Sequence, residues 1–129
     1  MPFIYKNNPR ILTGPYGASS KKDGVDLVRE YAIDQTTFEH LPEPERWKPG
    51  QRVQDASPGS IEMGTAIATF INDHYGSGMD RGYAAFYVNG TRENIQVVGE
   101  DPSSSGSIIS RTIKLDMMEN LNFYVIEKG

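Results

Sequence analysis

Apolar residues recur with a helical period in one short segment of this chain. Its apolar residues lie next to one another or three to four positions apart: Val25, Leu27, Val28, Tyr31 and Ala32. This spacing places them on one face of a helix. Asp23 precedes the segment and has a side chain suited to capping a helix N-terminus. The pattern therefore predicts one helix that begins near residue 24.

The rest of the chain is patterned as strands separated by turns. The predicted strands cover residues 52–54, 65–70, 83–88, 94–98, 107–115 and 122–127. Asn89-Gly90 is a strong hairpin signal and predicts the turn between the third and fourth strands. Residues 1–22 are expected to form an irregular arm, and residues 34–50 and 72–82 to form connections. Together these elements predict an α+β domain spanning residues 1–129, in which one main N-terminal helix packs on an antiparallel five- to six-stranded half-barrel sheet.

Composition and charge limit the possible partners. The chain has 129 residues, 37% of them hydrophobic, which suits a single packed domain. Its formal net charge of −4 argues against nucleic acid, which requires a basic face. No apolar run is long enough to cross a membrane, and the N-terminus lacks the pattern of a signal peptide. We therefore expect no membrane partner, and a protein that is cytoplasmic or exported by a signal-free route.

The chain contains no cysteine. This excludes a thiolate nucleophile, a disulfide and a thiolate metal site. The two histidines and the carboxylates show no metal-ligand spacing, so we expect neither a metal nor another cofactor.

Five local strings resemble the NlpC/P60-like branch of the papain-fold cell-wall amidases, and more narrowly a small branch that includes type VI effector-like proteins. They are GVDLV at 24–28, WKPG at 47–50, GTAIATF at 64–70, YAAFY at 83–87 and FYVIE at 123–127. The resemblance extends from about residue 3 to residue 127. It implies an amidase scaffold in which a cysteine opens the helix, a histidine opens a His-Ala-Ala strand and a polar residue on the next strand orients the imidazole.

The triad positions implied by this resemblance hold other residues here. The cysteine position is Gly24, the histidine position is Tyr83 and the orienting position is at or near Gly99. From these three differences we predict a catalytically degenerate pseudoenzyme.

Aromatic and polar residues are expected to border the former cleft and to bind a ligand there. The candidates are Tyr16, Asp23, Asp26, Trp47, His74, Tyr75, Arg81, Tyr83 and Glu100. Aromatic platforms with convergent hydrogen-bonding groups suit a sugar or a peptide. The first hypothesis is therefore a non-catalytic, lectin-like protein that binds a glycan or a peptidoglycan fragment, and a homodimer is possible. Simpler roles stay open, because Trp47 could be buried beside the sheet and Tyr83 could fill the cleft.

Two other functional hypotheses stay open. The first is a peptidoglycan amidase with non-standard catalytic residues, for which Ser20 and His74 are the best pair. The second is an interaction or antagonist protein whose cleft is closed.

Overall fold

The computed structural model describes residues 3–15, 24–55, 59–71, 74–75, 82–90, 94–101, 107–114 and 122–128. Within these residues the α-helix is α1 (Val25–Tyr31), and the 3-10 helices are η1 (Pro9–Leu12), η2 (Pro44–Arg46) and η3 (Val53–Asp55). The strands are β1 (Phe3–Ile4), β2 (Gly14–Pro15), β3 (Ile33–Asp34), β4 (Trp47–Arg52), β5 (Ala66–Ile71), β6 (His74–Tyr75), β7 (Ala84–Gly90), β8 (Asn94–Glu100), β9 (Ser107–Lys114) and β10 (Asn122–Lys128). At seven residues, α1 is too short to cross a membrane, and no other described helix is long and apolar enough to do so.

Most of the described chain belongs to one antiparallel sheet. Its strand order is β2-β9-β8-β7-β5-β10-β4, with β6 paired to β5, and β1 and β3 form a separate pair. The prediction of one main helix on a five- to six-stranded half-barrel is therefore wrong, because the sheet has eight strands and dominates the fold. Within this sheet the prediction missed β2, β6 and all of β4 except Arg52. Two of these are two residues long, and β4 contains Pro49-Gly50, so they carry little local strand signal.

Two predicted boundaries also differ from the structure. The strand predicted at 52–54 instead ends at Arg52, and the chain continues into η3. The predicted hairpin of β7 and β8 is confirmed, but Asn89 and Gly90 lie in β7 and pair with Gln96 and Ile95. The pairing register shifts between Tyr87 and Asn89, and the strand continues through the two residues that were predicted to form the turn.

The two faces of the sheet bury different sets of side chains. The face that packs against α1, here called the helix face, includes Ala66, Ala68, Ala84, Phe86, Val98 and Ile126. The opposite face includes Ile67, Ala85, Tyr87, Val97, Phe123 and Val125. Alanines at 66, 68 and 84 leave space for α1, whose Val25, Leu27 and Val28 are buried against them. The start of α1 therefore lies close to the first residues of β7.

Candidate functional site

Gly24 begins α1 in direct contact with β7. Its φ of +84° belongs to the left-handed region, and it is the N-cap of α1 without a side-chain cap. A Cβ atom at this position would overlap the carbonyl oxygen of Ala84 and lie 3.0 Å from its carbonyl carbon. Both backbone conformation and space therefore exclude a side chain, including that of a cysteine, from position 24 in this structure.

The ring of Tyr83 packs over Gly99 on the neighbouring strand β8. A Cβ atom at Gly99 would lie 2.6 Å from the phenol oxygen of Tyr83, so the absence of a side chain there makes room for the ring. The Tyr83 hydroxyl donates a hydrogen bond of 2.7 Å to the backbone oxygen of Glu100. Two hydrogen bonds hold its backbone: Thr69 N donates to Tyr83 O at 3.0 Å, and Tyr83 N donates to Thr69 Oγ1 at 3.1 Å.

The structure thus brings Gly24, Tyr83 and Gly99 to the same end of the β7–β8 pair, but on two faces of the sheet. Gly24 contacts Ala84, which belongs to the helix face. Tyr83 packs against the cluster of the opposite face, and its ring covers Gly99. The Tyr83 phenol therefore lies on the other face of the sheet from residue 24. It does not occupy the position from which a histidine side chain could contact a side chain at residue 24.

Charged groups surround Tyr83 at this end of the sheet. Burial raises the pKa of its phenol above the usual value, and nearby Glu100 and Asp101 raise it further, while a hydrogen bond and the positive charge of Arg111 act in the opposite direction. Tyr83 is consequently protonated at neutral pH and acts as a hydrogen-bond donor. The Arg111 guanidinium carbon lies 4.9 Å from the centre of the ring.

Glu100 is a fully buried acidic residue at the end of β8, with 0% of its surface exposed. It lies two residues beyond Val98, which pairs with Phe86 on the helix face. Continuing this register by two residues places Glu100 beside Ala84, against which α1 begins. A buried carboxylate at this point makes Glu100 a stronger site candidate than its sequence position alone indicated.

The aromatic candidates Trp47 and Tyr75 lie together in the core. Trp47 is 2% exposed, its Nε1 donates a hydrogen bond of 2.8 Å to Pro42 O, and its ring meets that of Tyr75 edge-on at 5.0 Å. The Tyr75 ring also lies against Gly82. These two aromatic rings therefore pack with each other rather than with Tyr83.

The remaining candidates are placed only in part. Asp26 is exposed in the first turn of α1, and the backbone of His74 pairs with Ile71 in β6. Tyr16, Asp23 and Arg81 lie outside the described residues, as does Ser20. Among the residues that the structure describes, no group of three His, Asp or Glu side chains could hold a metal ion.

Arg111 is the site residue that the sequence prediction missed. It lies on β9 opposite Val97, and it shares a side of the strand with Ile113, which is buried in the opposite-face cluster. The available signal was a cation on the apolar side of an alternating strand, between Ile109 and Ile113. This signal could not be interpreted from the local sequence, because the ring that Arg111 covers belongs to Tyr83, which is distant in sequence.

Comparison with known proteins gives a consistent result. Residues 3–126 match the family described as domesticated amidase effector 2. The fold is similar to that of a solved structure described as type 6 secretion amidase effector 2, with a TM-score of 0.76 and 21% sequence identity, covering 100% of this chain and 96% of that chain. None of the curated proteins matches the chain.

These comparisons confirm the resemblance to amidase effectors and overturn the prediction of a pseudoenzyme. The family match covers nearly the whole chain, and both the family and the structural neighbour are described as amidase effectors rather than as lectins. The prediction failed because it took the absence of one set of catalytic residues at three positions as the absence of all catalysis.

Proposed function

The chain belongs to the domesticated amidase effector 2 family, and from this premise we propose that it is a peptidoglycan amidase that works without a thiolate. The observation that carries this proposal is the family match over residues 3–126. The proposed substrate is an amide bond in the peptide part of peptidoglycan, and the proposed partner is thus a peptidoglycan fragment.

The absence of cysteine determines the kind of nucleophile that this proposal requires. The chain has no cysteine at any position, and Gly24 has no space for a side chain. The nucleophile is therefore a hydroxyl group activated by a general base, or a water molecule activated in the same way. In either case it approaches the substrate from a position other than residue 24.

We assign the nucleophile and base to Ser20 and His74. Ser20 precedes Gly24 by four residues, and Gly24 contacts Ala84 at the start of β7. The backbone of His74 pairs with Ile71 in β5. Ile71 lies three residues beyond Ala68, the partner of Ala84, which is a distance of about 10 Å along the strand. The choice of Ser20 therefore rests on its sequence position, four residues before Gly24, and the choice of His74 on its backbone pairing at the end of β5.

The proposed reaction is an acyl transfer in two steps. The Ser20 hydroxyl oxygen attacks the amide carbonyl carbon while His74 accepts its proton. The carbon–nitrogen bond breaks as His74 returns the proton to the leaving nitrogen. Water then attacks the resulting ester, again losing a proton to His74, and releases the acyl group as a carboxylic acid as Ser20 regains its proton.

Mass spectrometry of digested cell-wall sacculi tests the proposal. We expect the purified protein to release peptides with new amine and carboxyl termini, and Ser20→Ala and His74→Ala each to reduce the rate about 100-fold or more. Ser19→Ala and His40→Ala are matched controls and should stay near the wild-type rate. Unchanged sacculi at micromolar protein would contradict the amidase assignment. Full activity of Ser20→Ala or His74→Ala would instead contradict the assignment of that residue.

A further inference from the structure

Arg111 is held in place by Tyr83 on the opposite face of the sheet. Its guanidinium lies over the ring with 4.9 Å between the Cζ atom and the ring centre, while the phenol oxygen of that ring makes its own hydrogen bond. That oxygen in turn donates to Glu100 O, so the ring cannot turn away without losing a hydrogen bond. Arg111 is half-buried, which makes its orientation more fixed than that of a free surface arginine.

The positive charge of Arg111 has no acidic partner among the described residues. Lys6 pairs with Glu62 at 2.9 Å and Arg52 with Asp55 at 3.4 Å, whereas the interactions of Arg111 are with Tyr83. A guanidinium has five donors in a planar fork, and its contact over the Tyr83 ring leaves donors for another partner. The Arg111 guanidinium can therefore form a bidentate ion pair with a carboxylate.

We propose that Arg111, stacked on Tyr83, binds a carboxylate group of an acidic peptide that enters this end of the sheet. This inference rests on the proposed function in taking that peptide to be the stem peptide of peptidoglycan, which carries free carboxylates. Arg111 is then a specificity-determining residue, since it selects peptides with a free carboxylate at one position over their amidated forms.

The charges of the molecule favour a carboxylate over a phosphate or nucleic acid. The net charge is −4, and Glu100 and Asp101 lie near Tyr83 and raise its pKa. A polyanion would be repelled by these groups and would need several cations. A single guanidinium with two parallel donors matches one carboxylate.

Calorimetry with a defined probe tests this inference. The probe is a disaccharide tetrapeptide with free carboxylates, and the comparison ligand is the same molecule with its carboxylates amidated. Titrations in the His74→Ala background prevent the proposed turnover. We expect Arg111→Gln to weaken binding of the free probe about 10-fold or more, Arg111→Lys to weaken it less, and Arg10→Gln, which alters an exposed arginine on η1, to leave it unchanged.

The amidated probe provides the decisive comparison. If Arg111 contacts the carboxylate, amidation weakens binding to the protein with Arg111 but adds little to the effect of Arg111→Gln. Independent, additive losses would overturn the inference, as would equal binding by Arg111→Gln or no binding of the free probe at millimolar concentration. Thermal unfolding of each variant shows whether a loss comes from misfolding, and Arg111→Lys provides a second test if Arg111→Gln does not fold.

The outcomes for binding and for hydrolysis are separable. A wild-type protein that binds the probe through Arg111 but does not cleave sacculi contradicts the proposed amidase and supports the carboxylate site. A protein that cleaves sacculi with the same KM in Arg111→Gln supports the amidase and contradicts the carboxylate site.

Discussion

Replacing Gly24 by Ala tests whether the start of α1 is too close to β7 for any side chain. Gly24 has a φ of +84°, where a residue with a Cβ atom is strained by about 1 kcal/mol. The Cβ atom would also overlap the Ala84 carbonyl oxygen, and forcing extra volume into a packed site costs about 1–3 kcal/mol. We therefore expect Gly24→Ala to lower the free energy of unfolding by about 2–4 kcal/mol.

Gly59 offers a matched control for the backbone strain. Its φ is +83°, but nothing lies within 4 Å of a Cβ atom added there. Gly59→Ala should therefore cost only about 1 kcal/mol, and the difference between the two variants isolates the contact with Ala84. That difference is expected to be about 1–3 kcal/mol, or roughly 3–12 °C in Tm for a domain of this size.

Urea denaturation monitored by tryptophan fluorescence measures both variants. Trp47 is the only tryptophan and is 2% exposed, so its emission reports the exposure of the core. Equal destabilisation by Gly24→Ala and Gly59→Ala, within about 0.5 kcal/mol, would refute the steric argument. Position 24 would then be open to a side chain, and the search for a nucleophile elsewhere would lose its structural reason.

Two further predictions concern Tyr83 and Phe38. Burial raises the pKa of the Tyr83 phenol above its value in the unfolded chain, so its contribution to stability is present below about pH 10 and is lost as the pH rises through the folded-state pKa. Urea denaturation between pH 8 and about 11 should show this loss of stability. The variant Tyr83→Phe should lose less stability over the same range. A fall in stability of the same size in both proteins would contradict this role of the phenol. Phe38 is 76% exposed at a φ of +61°, so Phe38→Asn should raise the free energy of unfolding by about 0.5–1 kcal/mol, and a decrease would show that the ring makes a stabilising contact.

The elements that the sequence predicts well are those with strong local patterns. The apolar face of α1 and the alternation in β9 and β10 follow from side-chain periodicity, since each element buries one face. The alternation of Phe123 and Val125 with Tyr124 and Ile126 is reproduced on the two faces of the sheet. By contrast, β2 and β6 are two residues long and exist because a longer neighbouring strand pairs with them, which no local pattern reveals.

The sequence did not predict the geometry of the candidate site. The resemblance implied that Gly24, Tyr83 and Gly99 share one site, and in the structure they lie at the same end of the β7–β8 pair. What the sequence could not show is that Gly24 contacts the helix face while Tyr83 lies on the opposite face. Likewise, the burial of Glu100 and the stacking of Arg111 depend on contacts between strands that are formed only in the folded chain.

Digestion of purified sacculi in water enriched in heavy oxygen is the most direct test of the central claim that this cysteine-free protein is an amidase. Hydrolysis of an amide by the proposed mechanism incorporates one oxygen atom from water into the new carboxyl group. We therefore expect mass spectrometry to find stem peptides that carry one heavy oxygen, with the amount proportional to protein concentration and strongly reduced in His74→Ala. Sacculi that release no such peptide, or that release it equally with His74→Ala, would contradict the proposed amidase or its proposed base, respectively.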